Sequence, residues 1–195
     1  MVSVPADTET LIPLKVLIAG GFGVGKTTLV RSLSEIPPLL TEQEMTTASI
    51  GVDDADMVPD KRTTTVAMDF GRITVDGSLI LYLFGTPGQA RFWFMWDELA
   101  RGSVGAVVLV DLRRVDDCFP AIDYFENRRL PFIVAVNRFE GKYAHELDEV
   151  REALALSDDV PLIDCDARRR ESSKNVLITL VSHLYARSTV QETTR

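Results

Sequence analysis

The sequence predicts a three-layer α/β domain with a mostly parallel sheet. Three observations carry that expectation. Short apolar runs of strand type alternate along the chain with segments of helical spacing. A glycine-rich loop, Gly20 to Thr28, joins the first such run to the first helix. An Asp76-Gly77 turn joins the second and third runs, the signature of an antiparallel hairpin. The expected order is β-α-β-β-α-β-α-β-α-β-α, giving a six-stranded sheet with one antiparallel strand from the hairpin of the second and third strands.

The first strand is expected over about 13–19, through Leu14-Lys15-Val16-Leu17-Ile18-Ala19. The helix after the glycine loop ends before Pro37-Pro38. Residues 37–63 are the least regular stretch. Thr41-Glu42-Gln43-Glu44 resembles a capping box, which allows a short helix over 42–48, and residues 51–56 read as acidic loop. So long an irregular stretch in a compact domain is ordinarily functional. Val66, Met68 and Phe70 and then Ile73 and Val75 alternate as a strand over 64–75, and Leu79 to Phe84 is its hairpin partner. Val104 to Val110 and Pro131 to Val136 read as buried parallel strands, with a helix over 116–128 between them. A helix over 144–156, a short strand over 161–165 and an amphipathic helix over 173–187 close the domain. Residues 1–11 and 188–195 are expected to be disordered, leaving one domain over 12–187.

Gly20 to Thr28 has the P-loop pattern: glycine, four residues, then Gly25-Lys26-Thr27. Its place between strand and helix is the context that this motif needs. The glycines let the backbone bend so that its N–H groups converge on phosphate, and the helix N-terminus adds positive potential. The cradle is Gly21, Gly23, Val24, Gly25, Lys26, Thr27 and Thr28. Lys26 would reach the β- and γ-phosphates, and the Thr27 hydroxyl would bind Mg²⁺. The motif leaves open which nucleotide is bound.

Composition limits the other classes. Of 195 residues, 46% are apolar and 26% charged, as in a folded globular protein. A net charge of −8 argues against general nucleic-acid binding, which needs a basic face. Cys118 and Cys165 form no C-x-x-C pair, and His145 and His183 complete no zinc spacing, so both cysteines are expected to be buried hydrophobes in a reducing compartment. No apolar run spans a membrane, and neither terminus carries a signal or lipidation motif. A cytoplasmic location follows as an expectation, with any membrane contact made through a partner.

Beyond the P-loop the chain resembles a Ras-like small GTPase over about residues 13–186. Thr65-Val66-Ala67-Met68-Asp69-Phe70 resembles the end of switch I. There the resemblance gives Thr65 the role of a Mg²⁺ and γ-phosphate ligand, with Thr63 and Thr64 as neighbouring alternatives. Phe84-Gly85-Thr86-Pro87-Gly88-Gln89 resembles the start of switch II. It implies that the Gly88 N–H meets the γ-phosphate and that Gln89 orients the attacking water. Asn137-Arg138-Phe139-Glu140 resembles the guanine-reading Asn-Lys-x-Asp. Arg138 would pack on the base or P-loop, and Glu140 would accept from the guanine N1–H and 2-amino groups. Cys165-Asp166-Ala167-Arg168 stands where the family has Ser-Ala-Lys, so the Ala167 N–H would meet the guanine O6. Arg62, three residues before Thr65, has the spacing of the cis arginine of heterotrimeric α subunits, which stabilises transition-state charge; the alternative is a solvated loop arginine.

One departure stands out. Gly85 occupies the position at which the family has an aspartate near Mg²⁺. Asp53, Asp54, Asp56 and Asp111 are the candidate substitutes. Within the superfamily the chain resembles bacterial small GTPases encoded in actinobacterial conservons, and more distantly the gliding-motility polarity GTPase. That resemblance implies GTP/GDP and Mg²⁺ as cofactors, a roadblock-fold activator and a histidine-kinase-like membrane protein as partners, and slow GTP hydrolysis that drives a switch. The rival readings are a P-loop ATPase or kinase, and a nucleotide-binding scaffold without turnover. Phe92, Trp93, Phe94 and Trp96 are too many aromatics for one helix face to bury, so some are expected to face a partner.

Overall fold

The computed structural model describes residues 12–37, 39–40, 68–75, 79–139 and 145–193. The expectations for 42–48, 51–56, Arg62, Thr63 to Thr65 and Glu140 lie outside these residues, as do Asp53, Asp54 and Asp56.

Strands β1 (Ile12–Ala19), β2 (Leu39–Leu40), β3 (Asp69–Val75), β4 (Leu79–Gly85), β5 (Ser103–Val110), β6 (Phe132–Asn137) and β7 (Leu162–Cys165) form one sheet. Its order is β2-β3-β4-β1-β5-β6-β7. The six expected strands are there, and the two-residue β2 adds to the β3 edge. β3 pairs antiparallel with β4, while β4, β1, β5, β6 and β7 run parallel.

Alternation along the strands divides the core in two. Val16, Ile18, Val107 and Leu109 face one side, where α1 (Lys26–Leu33) and α5 (Arg170–Thr193) pack. Leu17, Ala19, Ala106, Val108 and Val110 face the other, under α2 (Trp96–Ala100), α3 (Phe119–Arg128) and α4 (Leu147–Ala153). The parallel strands are buried on both faces, which is why they read as continuous apolar runs.

Several boundaries differ from the sequence reading. The helix expected from 116 begins at Phe119, because Pro120 fits only its first turn. A 3₁₀ stretch, Leu112–Cys118, precedes it, and Arg114 breaks that stretch with φ −146° and ψ 59°. The helix expected to 156 stops at Ala153, and Ala155 turns the chain with φ 49°. The tail expected beyond 187 is helical to Thr193. Extending a formed helix costs little, and the Ser188 and Thr189 hydroxyls donate to the Tyr185 carbonyl rather than ending it.

The aromatic cluster splits between core and surface. Trp96 is buried, stacks on Phe125 at 5.9 Å and donates from Nε1 to the Pro87 carbonyl at 3.2 Å. Trp93 is 43% exposed and Phe94 74% exposed. Cys118 and Cys165 are buried free thiols, and burial pushes their pKa values up to about 12 and about 11. They are inert fillers, as expected.

Candidate nucleotide-binding site

The loops after β1, β4, β5, β6 and β7 all leave the same edge of the sheet, since these strands are parallel. That carboxyl edge is where open α/β sheets bind ligands. The antiparallel β3 starts at the same edge, which brings Asp69 there.

The P-loop fills the centre of the edge. Gly20 (φ 131°) lies so close to β5 that a Cβ would stand 2.4 Å from the Leu109 carbonyl oxygen. Gly25 caps α1 in the left-handed region (φ 107°), with no side chain capping the helix and no acid in its first turn. The first N–H groups of α1 are therefore left for an anion. Lys26 Nζ donates to the carbonyls of Gly20 (2.9 Å) and Gly21 (2.6 Å). Phosphate oxygens would exchange for these carbonyls. Burial pushes the Lys26 pKa down to about 8, with Asp69 opposing the shift.

That shift gives a pH prediction. The unfolded chain holds this proton up to its ordinary pKa of 10.5, whereas the fold releases it near 8. The burial cost of the charged lysine is therefore present below about pH 8, and stability recovers as pH rises through this window. A bound polyphosphate pulls the other way, since it favours the charged form. Binding is expected to take up a proton near pH 8, and affinity to fall above it by up to about tenfold per pH unit. Calorimetry in buffers of different ionisation heat checks the uptake.

Thr27 and Asp69 meet beside the P-loop. Thr27 Oγ1 donates to Asp69 Oδ2 at 2.7 Å. Asp69 lies opposite Gly85 by continuation of the β3-β4 register, in which Phe70 pairs with Phe84. A Cβ on Gly85 would stand 2.9 Å from both Cβ and Oδ2 of Asp69. The carboxylate missing from position 85 is thus supplied by the neighbouring strand, in the space that a side chain there would fill. A threonine hydroxyl beside a carboxylate is a hard oxygen donor set that suits Mg²⁺. Thr27 and Asp69 would hold the ion, which would neutralise phosphate charge. Asp111 does not serve: Arg113 grips both its oxygens at 2.9 and 2.8 Å and holds its carboxyl below the usual range. The sequence shows Asp69 only as an acid inside an alternating strand; its place opposite Gly85 follows from the observed register, in which Val75 pairs with Leu79.

Gly88 approaches the P-loop from β4. A Cβ there would lie 2.8 Å from Lys26 Nζ and 2.9 Å from the Phe22 nitrogen, so only glycine fits. Thr86, two residues earlier, is buried; its N–H donates to the Ile18 carbonyl, and its hydroxyl has no partner among the described residues. Gln89 is half-buried and extended, and Thr28 is exposed.

On the base side, buried Asn137 acts as a brace. Its Nδ2 donates to the Val24 carbonyl at 2.8 Å, and its Oδ1 accepts the Ala167 N–H at 3.1 Å. The Ala167 N–H expected at the guanine O6 is thus bonded to Asn137. Arg138 pairs with Asp164 on β7. Asp166 accepts from the Arg168 side chain at 2.9 and 3.0 Å, so these two residues fix each other. Phe139 carries the Arg113 guanidinium 4.0 Å above its ring. The structure brings together Gly21, Gly23, Val24, Gly25, Lys26, Thr27, Gly88, Asn137 and Ala167 along this edge.

A P-loop between these loops, on this strand order, defines a nucleotide-binding domain of the G-domain type within the P-loop NTPase fold. Residues 18–187 match the family described as conserved hypothetical ATP binding protein, and the chain belongs to that family. It is 30% identical over 127 residues to the uncharacterized protein MJ1339 of Methanocaldococcus jannaschii, covering 64% of this chain and 70% of that one. It is also 30% identical over 110 residues to Ras-related protein Rab-18-B of Danio rerio, covering 56% of this chain but 45% of that protein. In fold it is similar to the FeoB G-domain from Methanococcus jannaschii, with a TM-score of 0.60 and 10% identity over 90% of this chain and 99% of that one. The cytosolic domain of the T. maritima FeoB iron transporter in a GDP form superposes with a TM-score of 0.63 and 16% identity, over 89% of this chain and 64% of that domain. No described helix is long and apolar enough to cross a membrane.

Proposed function

We propose that this chain is a GTP-binding molecular switch that hydrolyses GTP slowly, with Mg²⁺ held by Thr27 and Asp69. The observation that carries the reading is the approach of Gly88 to Lys26 and the Phe22 nitrogen. It sets the loop after β4 where a third phosphate would lie, so its position would depend on that phosphate. Gln89 follows directly and would orient the attacking water, with Thr65 and Arg62 closing the site from the long loop. Asn137, Arg138, Asp166, Ala167 and Arg168 would line the base side, and Glu140 would accept from the guanine N1–H and 2-amino groups. Guanine is favoured by the Asn137 signature and by the fold shared with a domain seen in a GDP form.

Output would be a change of partner affinity. Exposed Trp93 and Phe94, just past Gln89, offer the surface for a roadblock-fold activator. A cytoplasmic chain would reach a membrane through a histidine-kinase-like partner. The second reading, an ATPase, is favoured by the family description.

Competition decides between them. GTP and GDP are expected to bind with Mg²⁺ at least about 100-fold more tightly than ATP, with phosphate released slowly and Lys26→Ala abolishing both. ATP competing as well as GTP would establish the ATPase reading. Tight GTP binding without release, unaltered by Gln89→Leu, would establish a scaffold.

A further inference from the structure

The segment between β5 and α3 lies outside every motif read from the sequence, yet it touches the P-loop at two points. A Cβ on Gly21 would stand 2.6 Å from that of Asp117. Arg114 donates from one terminal guanidinium nitrogen to the Phe22 carbonyl at 2.6 Å. The same nitrogen lies 3.4 Å from where a Gly23 Cβ would be. The two adjacent arginines have separate tasks. Arg113 is bound to Asp111 on both oxygens. The departure of Arg114 from helical geometry separates the two and accompanies its turn toward the loop apex. Among the described residues, Asp117 is its ion-pair partner, 3.7 Å from its other terminal nitrogen, and half of the Arg114 side chain is exposed. Much of its donor capacity is therefore left for a ligand.

Phe22 fixes which end of the phosphate chain this is. Gly88 meets its nitrogen and Arg114 its carbonyl, so the two flank one residue. We propose that Arg114 is a built-in arginine of this site, contacting the terminal phosphates from the β5 side of the P-loop. This rests on the GTP reading above. In hydrolysis, water adds to the γ-phosphorus and the bond to the bridging oxygen breaks. Its electron pair stays on GDP, and the proton of water leaves with phosphate or to solvent. A guanidinium at the apex would stabilise the charge that builds up on the GDP oxygens. Its planar fork of donors can meet two phosphate oxygens at once. It is carried by a segment packed against the P-loop through Asp117 and Gly21.

The test uses the full chain with Arg114→Ala and Arg114→Lys. Single-turnover GTP hydrolysis and affinity for GDP with aluminium fluoride are expected to fall by about tenfold or more in Arg114→Ala. GDP affinity alone should change by less than about threefold, and Arg114→Lys should recover only part of the loss. If GDP affinity and hydrolysis fall by the same factor, Arg114 is a brace of the P-loop and the proposal is overturned. If nothing changes, it is a solvated arginine and the proposal is overturned too. Tripolyphosphate separates this idea from the guanine assignment. Should the wild-type chain bind tripolyphosphate but not GTP, weaker tripolyphosphate binding in Arg114→Ala keeps the arginine contact and removes only the nucleotide reading. Unchanged tripolyphosphate affinity removes the contact.

Discussion

Replacing Asp69 with alanine is expected to lower Mg²⁺-dependent nucleotide affinity by about 10- to 100-fold while leaving Mg²⁺-independent binding nearly unchanged. The reason is geometric. Asp69 is the carboxylate that accepts from Thr27 Oγ1, and Gly85 leaves the space that it occupies. The two positions face each other across an antiparallel pair, so the carboxylate can be moved from one strand to the other. Asp69→Ala combined with Gly85→Asp should recover much of the loss. Gly85→Asp alone should not help, because its Cβ would stand 2.9 Å from Asp69 Oδ2 and set two carboxylates against each other. Titration of GDP affinity against Mg²⁺ for the four chains tests this. A Mg²⁺ dependence that survives Asp69→Ala intact would show that the ion is held elsewhere.

Asn137→Ala is expected to reduce stability by about 2–4 kcal/mol and to weaken every nucleotide alike. Its amide ties the P-loop to the loop after β7, and both groups it satisfies are buried: the Val24 carbonyl and the Ala167 N–H. Each, left unpaired, costs about 1–3 kcal/mol. Asn137→Asp refines the point. One oxygen still accepts from Ala167, but the other faces the Val24 carbonyl, so the P-loop side alone is lost. Urea unfolding and nucleotide titration of both variants give the two readouts. A loss below about 0.5 kcal/mol in Asn137→Ala would mean that Asn137 is no brace and acts on the base alone.

These two residues show how far the sequence reaches. Local pattern was enough for the layers, the succession of strands and helices, and the P-loop. Buried parallel strands must be apolar on both faces, a phosphate-binding turn must be rich in glycine, and an Asp-Gly turn makes a hairpin. Asn137 was legible as a site residue, because it follows a buried strand in a known polar pattern. Its bonds to Val24 and Ala167 were not, since they join loops far apart in the chain. Helix ends were misjudged where one residue decided them: Pro120 at the start of α3, Ala155 after α4, and hydroxyls that donate back within α5.

What the chain order alone determined was the succession of strands and helices and the glycine loop, between the first strand and the first helix, that is expected to cradle phosphate. Only the tertiary structure decided who completes it. The vacancy at Gly85 reads in the sequence as a missing ligand, to be sought among acidic residues of the loops. Cross-strand register sets the Asp69 carboxylate in that space instead, because residues paired in an antiparallel ladder share one face and one space. Arg114 likewise had no motif. It enters the site through the kink after β5 and the close packing of Asp117 on Gly21, contacts that exist only once the sheet has brought β1 and β5 side by side.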